Sequence, residues 1–238
     1  MKRFAGTLLM GLVVILGTGW LLVWMWHRIN AGPAPAELFP PRITHIAGTG
    51  KTISLGFIGD SITRNIPPDS NMAPPEEIGQ ILNKRTGISV TIVNCGVPGY
   101  SSSQLLEDGD YQAAMLRAFE EQGVTTIMMC AGTNDSRQEH RTSADRYRIN
   151  MERLVEIVKS RGYRVIVNRP IWFDAVRFAG LHNDPEGCQR LFDSYQYPWN
   201  GDTAAYAYFK AHPEELMDGV HPSRLGAKHL AEYWQKVL

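Results

Sequence analysis

The stretch "TISLGFIGDSITRN", from Thr52 to Asn65, joins an apolar run to an abrupt polar end. The run Thr52–Gly59 predicts a β-strand that is buried on both faces of a sheet. Gly59, Asp60 and Ser61 end this run and place a serine at the carboxyl end of the strand. A serine in that position can cap a helix or act as a nucleophile. The rest of the chain has to distinguish these two roles.

Strand-like and helix-like segments alternate after this stretch. β-Branched and apolar runs predict further strands at Ile88–Asn94, Val124–Ala131 and Tyr163–Asn168. Apolar residues at helical spacing predict helices within 74–87, 110–123, 143–162 and 223–238. This alternation is typical of an α/β fold with a parallel sheet covered by helices on both faces. Residues 171–217 contain no clear fifth strand but could form two short helices.

Composition and charge argue for one globular domain and against nucleic-acid binding. The 238 residues are 44% apolar and 20% charged, which suffices for one domain with a full core. The net charge is zero, and beyond position 30 there are 21 basic and 24 acidic residues. Such a body has no broad basic field, so we expect no nucleic-acid partner.

The cysteines and histidines do not indicate a metal centre. The three cysteines form no C-x-x-C pair, and the histidines form no cluster with the spacing of metal ligands. We therefore expect no zinc site, no disulfide framework and no metal or organic cofactor, while a single disulfide stays open.

The amino terminus predicts a membrane segment. Residues 4–26 carry no charge and, as a helix, would span roughly 33 Å, about the thickness of the hydrocarbon core of a bilayer. Two basic residues precede this segment, so the chain would start in the cytoplasm and its body would lie outside, in the periplasm or beyond the cell. A cleaved signal peptide is the alternative, with Ala34-Pro35-Ala36 as its cleavage site. We therefore divide the chain into an anchor or signal peptide at 1–30, a proline-rich linker at 31–43 and a folded domain at 44–238.

Polar clusters follow three of the predicted strands and precede the final helix. In chain order they are Gly59-Asp60-Ser61, Asn94-Cys95-Gly96, Gly132-Thr133-Asn134-Asp135 and Asp218-Gly219-Val220-His221-Pro222. The ligand crevice of a parallel α/β sheet lies at the carboxyl ends of its strands. We therefore expect the four clusters to share one crevice.

The residue types in these clusters suit acyl transfer. Ser61 would be the nucleophile, His221 would accept its proton, and Asp218 would orient the imidazole. The oxyanion of a tetrahedral intermediate would be bound by the backbone N–H groups of Ser61 and Gly96 and by the side-chain amide of Asn134. Gly96 has no side chain, so its N–H could approach a ligand closely.

The four clusters, taken in order, resemble the four signature blocks of the SGNH (GDSL-type) hydrolases, a family of esterases. The family's serine, glycine, asparagine and histidine then correspond to Ser61, Gly96, Asn134 and His221, and its acid corresponds to Asp218. The resemblance covers the chain from position 52 onward, with "GDSIT" in place of the commoner GDSL. It implies a flavodoxin-like three-layer α/β/α sandwich with a mostly parallel sheet of about five strands.

The sequence therefore predicts a serine esterase that hydrolyses carboxylic esters through an acyl-serine intermediate. The C-terminal stretch resembles family members that remove acetyl groups from carbohydrates, so short acyl groups on glycans are the expected substrates. A lysophospholipase or thioesterase acting on longer acyl chains is one alternative, because a membrane segment is predicted. A catalytically silent glycan-binding module is an alternative of another class. Transfer of the acyl group to a second alcohol instead of water stays open, as does the oligomeric state.

Overall fold

The computed structural model describes residues 39–65, 73–178 and 184–238. The predicted membrane segment and residues 31–38 of the predicted linker lie outside the described residues. Within the described ranges, no helix combines the length and the apolar character that a membrane crossing requires.

A five-stranded sheet lies at the centre of the described chain. Its strands are β1 (Arg42–Ile46), β2 (Thr52–Gly59), β3 (Ser89–Gly96), β4 (Thr126–Cys130) and β5 (Arg164–Val167). Their spatial order is β1-β3-β2-β4-β5, and β1 runs antiparallel to β3 at one edge while the other pairs are parallel. The mostly parallel sheet expected from the sequence is therefore confirmed.

The fifth strand precedes the others in the chain and does not fall within residues 171–217. Strand β1 includes Arg42 and Ile43, so it begins inside the predicted linker 31–43. Its five residues give only a short alternating pattern, and the preceding Pro40-Pro41 pair indicates a spacer more strongly than a strand. The strand forms here because an edge position needs hydrogen-bond partners on one side only.

Helices connect the strands and cover the sheet. They are α1 (Ser61–Arg64), α2 (Pro74–Thr86), α3 (Ser102–Glu107), α4 (Gly109–Glu121), α5 (Ala144–Lys159), α6 (Pro185–Asp193), α7 (Ala204–Ala211) and α8 (Arg224–Trp234). Short 3-10 turns occur at Asn134–Ser136, Pro213–Glu215 and Gln235–Val237. Helices α6 and α7 are the two short helices expected in residues 171–217. Helix α3 was not expected, because six residues are too few to show an apolar stripe.

Close contacts show that helices approach the sheet from both sides. A Cβ on Gly79 of α2 would lie 3.0 Å from the Ile92 side chain of β3, and a Cβ on Gly56 of β2 would lie 2.7 Å from the Phe119 ring of α4. Ile92 is paired with Leu55, one residue before Gly56. Since successive strand residues point to opposite faces, the two helices cover opposite faces of the sheet. The described chain is thus a three-layer α/β/α sandwich.

The order of the strands places a crevice between β2 and β4. The connection that leaves β2 leads to β3 on one side, and the connection that leaves β4 leads to β5 on the other. In open α/β sheets a ligand crevice forms where neighbouring connections diverge in this way. Ser61 directly follows β2 and Asn134 follows β4, so the topology brings both residues to this crevice.

Candidate active site

Ser61 begins helix α1 directly after strand β2, and Asp60 caps that helix. The Asp60 carboxylate accepts a hydrogen bond from the Ile62 N–H at 2.9 Å. A Cβ on Gly59 would lie 2.1 Å from the Thr63 hydroxyl of α1 and 2.3 Å from the Cys130 carbonyl oxygen of β4, so the glycine lets both elements approach the end of β2 closely. Ser61 is buried and lines a pocket. The cap is therefore the aspartate, and the serine hydroxyl is not needed for that role.

A tight turn before helix α8 presents Asp218 and His221. The Met217 N–H donates a hydrogen bond to the His221 carbonyl at 2.8 Å, which closes the turn. Gly219 lies at its tip with a φ of +90°, a conformation that residues with side chains rarely adopt. The Gly219 carbonyl accepts a hydrogen bond from the Asp174 N–H at 2.7 Å. This bond fixes the turn against the neighbouring segment of the chain.

These two segments bring three side chains into one hydrogen-bonded chain. The Asp218 Oδ2 lies 2.7 Å from the His221 Nδ1, and the His221 Nε2 lies 2.8 Å from the Ser61 Oγ. An ionised carboxylate can only accept hydrogen bonds, so the Nδ1 of the ring carries the hydrogen. The Nε2 of the neutral ring then accepts the hydrogen of the Ser61 hydroxyl. Residues that are 160 positions apart in the sequence are thus in direct contact.

The environment of Asp218 keeps its carboxyl group ionised. Partial burial opposes the charge, but hydrogen bonds from the His221 N–H, the His221 ring and the Val220 N–H outweigh it and lower the pKa of Asp218. The two backbone N–H groups donate at 2.8 and 3.0 Å to the same carboxylate oxygen, Oδ1. Its other oxygen, Oδ2, therefore remains available to the imidazole.

The pocket at this site also contains the predicted Asn134. The pocket has a volume of about 140 Å³, and Ser61, Asn134 and His221 line it. The Asn134 Nδ2 donates one hydrogen to the Tyr100 carbonyl at 3.0 Å. An amide nitrogen carries two hydrogens, so a second one is available to a ligand.

Asp135 fixes the turn that carries Asn134. This carboxylate is fully buried and accepts hydrogen bonds from the Ser102 N–H at 2.8 Å and from the Ser102 hydroxyl at 2.5 Å. The Asn150 amide in turn donates to the Ser102 hydroxyl at 3.0 Å. The turn after β4 is therefore bound to the start of α3 and to α5, and Asn134 has a defined position.

Gly96 does not line the pocket, contrary to the prediction from the sequence. It is the last residue of β3, where it pairs with Gly59, and its N–H donates a hydrogen bond to the Asn94 side-chain oxygen at 3.0 Å. A Cβ on Gly96 would lie 2.7 Å from the Arg64 nitrogen and 2.8 Å from the Asp60 carbonyl oxygen. This glycine therefore allows α1 to pack closely on β3, and its N–H already has an acceptor.

The glycine that lines the pocket is Gly99. It follows Pro98 in a turn that is closed by a hydrogen bond of 3.2 Å from the Tyr100 N–H to the Val97 carbonyl, and its φ is +79°. This is the pattern of a type II turn. Within the described residues, no acceptor for the Gly99 N–H is present. The Pro-Gly pair signals the turn in the sequence. The predicted strand ended at Asn94, which placed Gly96 in the loop after it, but β3 continues to Gly96 and the glycine of the loop is Gly99.

Comparison with known proteins identifies the family. Residues 57–229 match the model of the GDSL-like lipase/acylhydrolase family. The chain belongs to this family. The match includes the segments that carry Ser61, Asn134 and His221. The description of this family names lipases and acylhydrolases. No curated protein matches the sequence significantly.

Solved structures share the fold at low sequence identity. Protein YXIM_BACsu from Bacillus subtilis has a TM-score of 0.55 and 19% identity, over 79% of this chain and 56% of that one. A lipase/acylhydrolase from Enterococcus faecalis has a TM-score of 0.57 and 17% identity, over 77% and 94%. The acetyl xylan esterase AlAXEase has a TM-score of 0.55 and 15% identity, over 78% and 100%. The chain thus spans little more than half of the Bacillus protein, and these identities establish a common GDSL-type fold alone.

The three cysteines of this GDSL-type domain are buried and free, so none of them forms the disulfide that the sequence left open. Burial raises the pKa of the Cys95 and Cys130 thiols. Both thiols are therefore neutral, and they fill space in the core as small apolar groups.

Asp60 is a buried carboxyl group next to the serine. It is 1% exposed, and burial raises its pKa to about 6, although the hydrogen bond from the Ile62 N–H acts in the opposite direction. An aspartate with a pKa raised in the folded state lowers stability once the pH is high enough to ionise it. The stability contribution of Asp60 therefore falls as the pH rises from about 4 to about 6.

Replacing Asp60 with asparagine is expected to increase stability more at pH 7 than at pH 4. Asparagine keeps the side-chain oxygen that accepts the hydrogen bond from the Ile62 N–H, but it carries no buried charge. The gain in the free energy of unfolding that results from removing this charge is at most about 3 kcal/mol at pH 7. Thermal unfolding of the wild type and of Asp60→Asn at pH 4 and at pH 7 measures this gain in stability. Asp145→Asn, which removes an exposed carboxylate, is the matched control. An equal shift in melting temperature of Asp60→Asn at both pH values would contradict the buried ionisation.

Proposed function

We propose that this protein is a serine esterase that hydrolyses short acyl esters. The observation that carries the proposal is the unbroken chain of hydrogen bonds from Asp218 through His221 to the Ser61 Oγ, at 2.7 and 2.8 Å, at the edge of a pocket. The alternative role of Ser61 as a helix cap is not supported, because Asp60 provides the cap.

Both Ser61 and His221 take part in the acylation half-reaction. The Ser61 Oγ attacks the carbonyl carbon of the ester while its proton moves to the His221 Nε2. The Asp218 carboxylate stabilises the resulting imidazolium. When the tetrahedral intermediate collapses, the bond between the carbonyl carbon and the alcohol oxygen breaks, and His221 returns the proton to that oxygen. The products of this half-reaction are the free alcohol and acyl-Ser61.

Deacylation repeats the same steps with water. A water molecule attacks the acyl carbonyl carbon while His221 accepts its proton. Collapse of the second tetrahedral intermediate breaks the bond to the Ser61 Oγ, which regains its proton from His221. The carboxylic acid leaves, and the enzyme returns to its starting state.

The oxyanion of both intermediates would be bound by Ser61, Gly99 and Asn134. The donors are the backbone N–H groups of Ser61 and Gly99 and the second hydrogen of the Asn134 amide. Gly99 takes the role that the sequence assigned to Gly96, since Gly99 lines the pocket while the Gly96 N–H is bound to Asn94. One such donor typically stabilises a transition state by about 3–4 kcal/mol.

The size of the pocket favours a short acyl group. Its volume of about 140 Å³ is well below the roughly 300–1,000 Å³ of pockets that enclose drug-sized ligands. The buried Phe173 contributes an apolar part of its wall. The acetyl xylan esterase named above has the same fold, which is compatible with an acetyl group on a carbohydrate as the substrate.

Activity on a series of 4-nitrophenyl esters, from acetyl to dodecanoyl, tests this proposal. We expect kcat/KM of the full-length protein to be highest for the acetyl or propionyl ester and to fall at least about tenfold by octanoyl, because a longer chain cannot be buried in the pocket. Release of acetate from acetylated oligosaccharides is then measured with the same preparation. A maximum at eight carbons or more would contradict the proposal and favour a lysophospholipase or thioesterase.

A further inference from the structure

A cationic side chain lies in the pocket beside the proposed catalytic residues. Arg137 lines the cavity together with Ser61 and His221, and its side chain is 26% exposed. The Arg137 N–H donates a hydrogen bond to the Asn134 carbonyl at 3.1 Å. The turn that positions Asn134 therefore positions this arginine as well. None of the proposed steps of ester hydrolysis uses a guanidinium group at this point.

The hydrogen-bonding capacity of this guanidinium is only partly used. Its Nη2 pairs with the Glu139 carboxylate at 2.5 Å, and the Glu139 side chain is 49% exposed. Among the residues that the structure describes, its Nε has no hydrogen-bond partner, but this atom is buried and is not exposed to the pocket. An ion pair with a solvent-exposed carboxylate contributes little stability, so a ligand can replace Glu139 at little cost. The pocket thus offers an anionic ligand a partly exposed cation whose observed partner is a solvent-exposed carboxylate.

The Phe178 ring is a neighbour of both Arg137 and His221, which is the proposed general acid. The Arg137 Cζ lies 5.8 Å from the centre of the Phe178 ring, and that ring centre lies 6.4 Å from the centre of the His221 ring. His221 must reach the oxygen of the leaving alcohol in order to protonate it. The wall that contains Phe178 and Arg137 therefore borders the place where the leaving alcohol receives its proton.

We propose that Arg137 binds a negatively charged group on the alcohol part of the substrate, and that a carboxylate is this group. The proposal rests on the proposed esterase function and adds a substrate class to it: esters of alcohols that carry a carboxylate, which among glycans are acylated acidic sugars. A guanidinium presents several N–H donors in one plane, which matches the geometry of a carboxylate, and hydrogen bonds between charged groups are stronger than neutral ones.

Three acetate esters of substituted phenols test this inference. They are 4-acetoxybenzoate, its neutral methyl ester and the cationic 4-acetoxyphenyl-trimethylammonium ion, together with the meta isomers, and each rate is divided by the rate of hydroxide-catalysed hydrolysis of the same ester. For the wild-type protein we expect kcat/KM in the order anionic, neutral, cationic. In Arg137→Gln the ratio of anionic to neutral ester is expected to fall about ten- to hundredfold.

Two further variants serve as controls for this ratio. Arg137→Lys keeps the charge but loses the planar arrangement of donors, so it is expected to retain part of the preference. It also allows the test to proceed if Arg137→Gln does not fold. Arg148→Gln removes an exposed arginine that pairs with Glu152 on α5, and its ratio is expected to equal that of the wild type.

The results separate this inference from the proposed function. Cleavage of the neutral ester by the wild type, and its loss in Ser61→Ala, tests the esterase function alone. If the neutral ester is cleaved but the ratio is the same in the wild type and in Arg137→Gln, the role of Arg137 is wrong and the esterase function stands. If a preference for negative charge is found only with 4-nitrophenyl hemisuccinate, whose carboxylate is in the acyl part, the assignment to the alcohol side is wrong. If no ester is cleaved, both proposals fail.

Discussion

Ser61→Ala is expected to lower kcat/KM for 4-nitrophenyl acetate by about 10⁴-fold or more. The change removes the oxygen that attacks the ester, and among the described residues Ser61 is the one whose hydroxyl forms a hydrogen bond with the His221 ring. The variant should fold, because Asp60 and not Ser61 caps helix α1. A small residual rate is expected, since the oxyanion donors remain in place and can stabilise attack by water.

The matched control for this variant is Ser160→Ala. Ser160 lies at the exposed end of α5, where its hydroxyl donates only to the Ile157 carbonyl, so its loss should leave the rate unchanged. A fluorophosphonate probe gives a second measurement, because it should label the wild type and Ser160→Ala but not Ser61→Ala. A folded wild-type protein that resists this probe would favour a catalytically silent glycan-binding module.

His221→Gln is expected to lower kcat for the same ester by about 10⁴-fold, with a much smaller change in KM. Glutamine is close in size to histidine and can donate or accept a hydrogen bond. It cannot accept the Ser61 proton and deliver it to the leaving alcohol, so both half-reactions lose their acid and base. Steady-state kinetics with both variants in parallel should show that the two losses are similar in size, because the serine and the histidine act as one unit.

His212→Gln is the control for the loss of a histidine. This side chain is half-exposed and pairs with Glu214 at 3.1 Å, outside the pocket. The kcat of His212→Gln is expected to equal that of the wild type. If His221→Gln kept more than about a tenth of the activity, another group would have to serve as the base, and the proposed roles would be wrong.

The strands of the sheet could be predicted largely because glycines and polar residues interrupt continuous apolar runs. Strand β2 has the predicted bounds, Thr52–Gly59, since Gly59 and Asp60 end its apolar run abruptly. Strand β1 was missed because a short edge strand has few buried residues and therefore a weak pattern. Helix α3 was missed because its six residues are too few to show an apolar stripe, although the capping box at Ser101 and Gln104 marks its start.

Part of the proposed site could be located from the sequence, because residue type and position after a predicted strand indicate its side chains. Ser61, Asn134 and His221 follow from the order of the polar clusters, and the structure brings them to one pocket. The choice between Gly96 and Gly99 could not be made in this way. It depends on which backbone N–H already has an acceptor, and the acceptor of the Gly96 N–H is the Asn94 side chain.

By itself, the sequence determined the family, the parallel α/β fold and the three side chains of the hydrogen-bonded chain, because each of these depends on residue identity and on order along the chain. It also predicts a membrane segment at residues 4–26, which stays a prediction. Only the tertiary structure decided that Gly99 lines the pocket, that Asp60 is buried and that Arg137 and His221 line the same pocket. The physical reason is that burial and hydrogen-bond satisfaction are properties of a group's surroundings, and these surroundings come from distant parts of the chain.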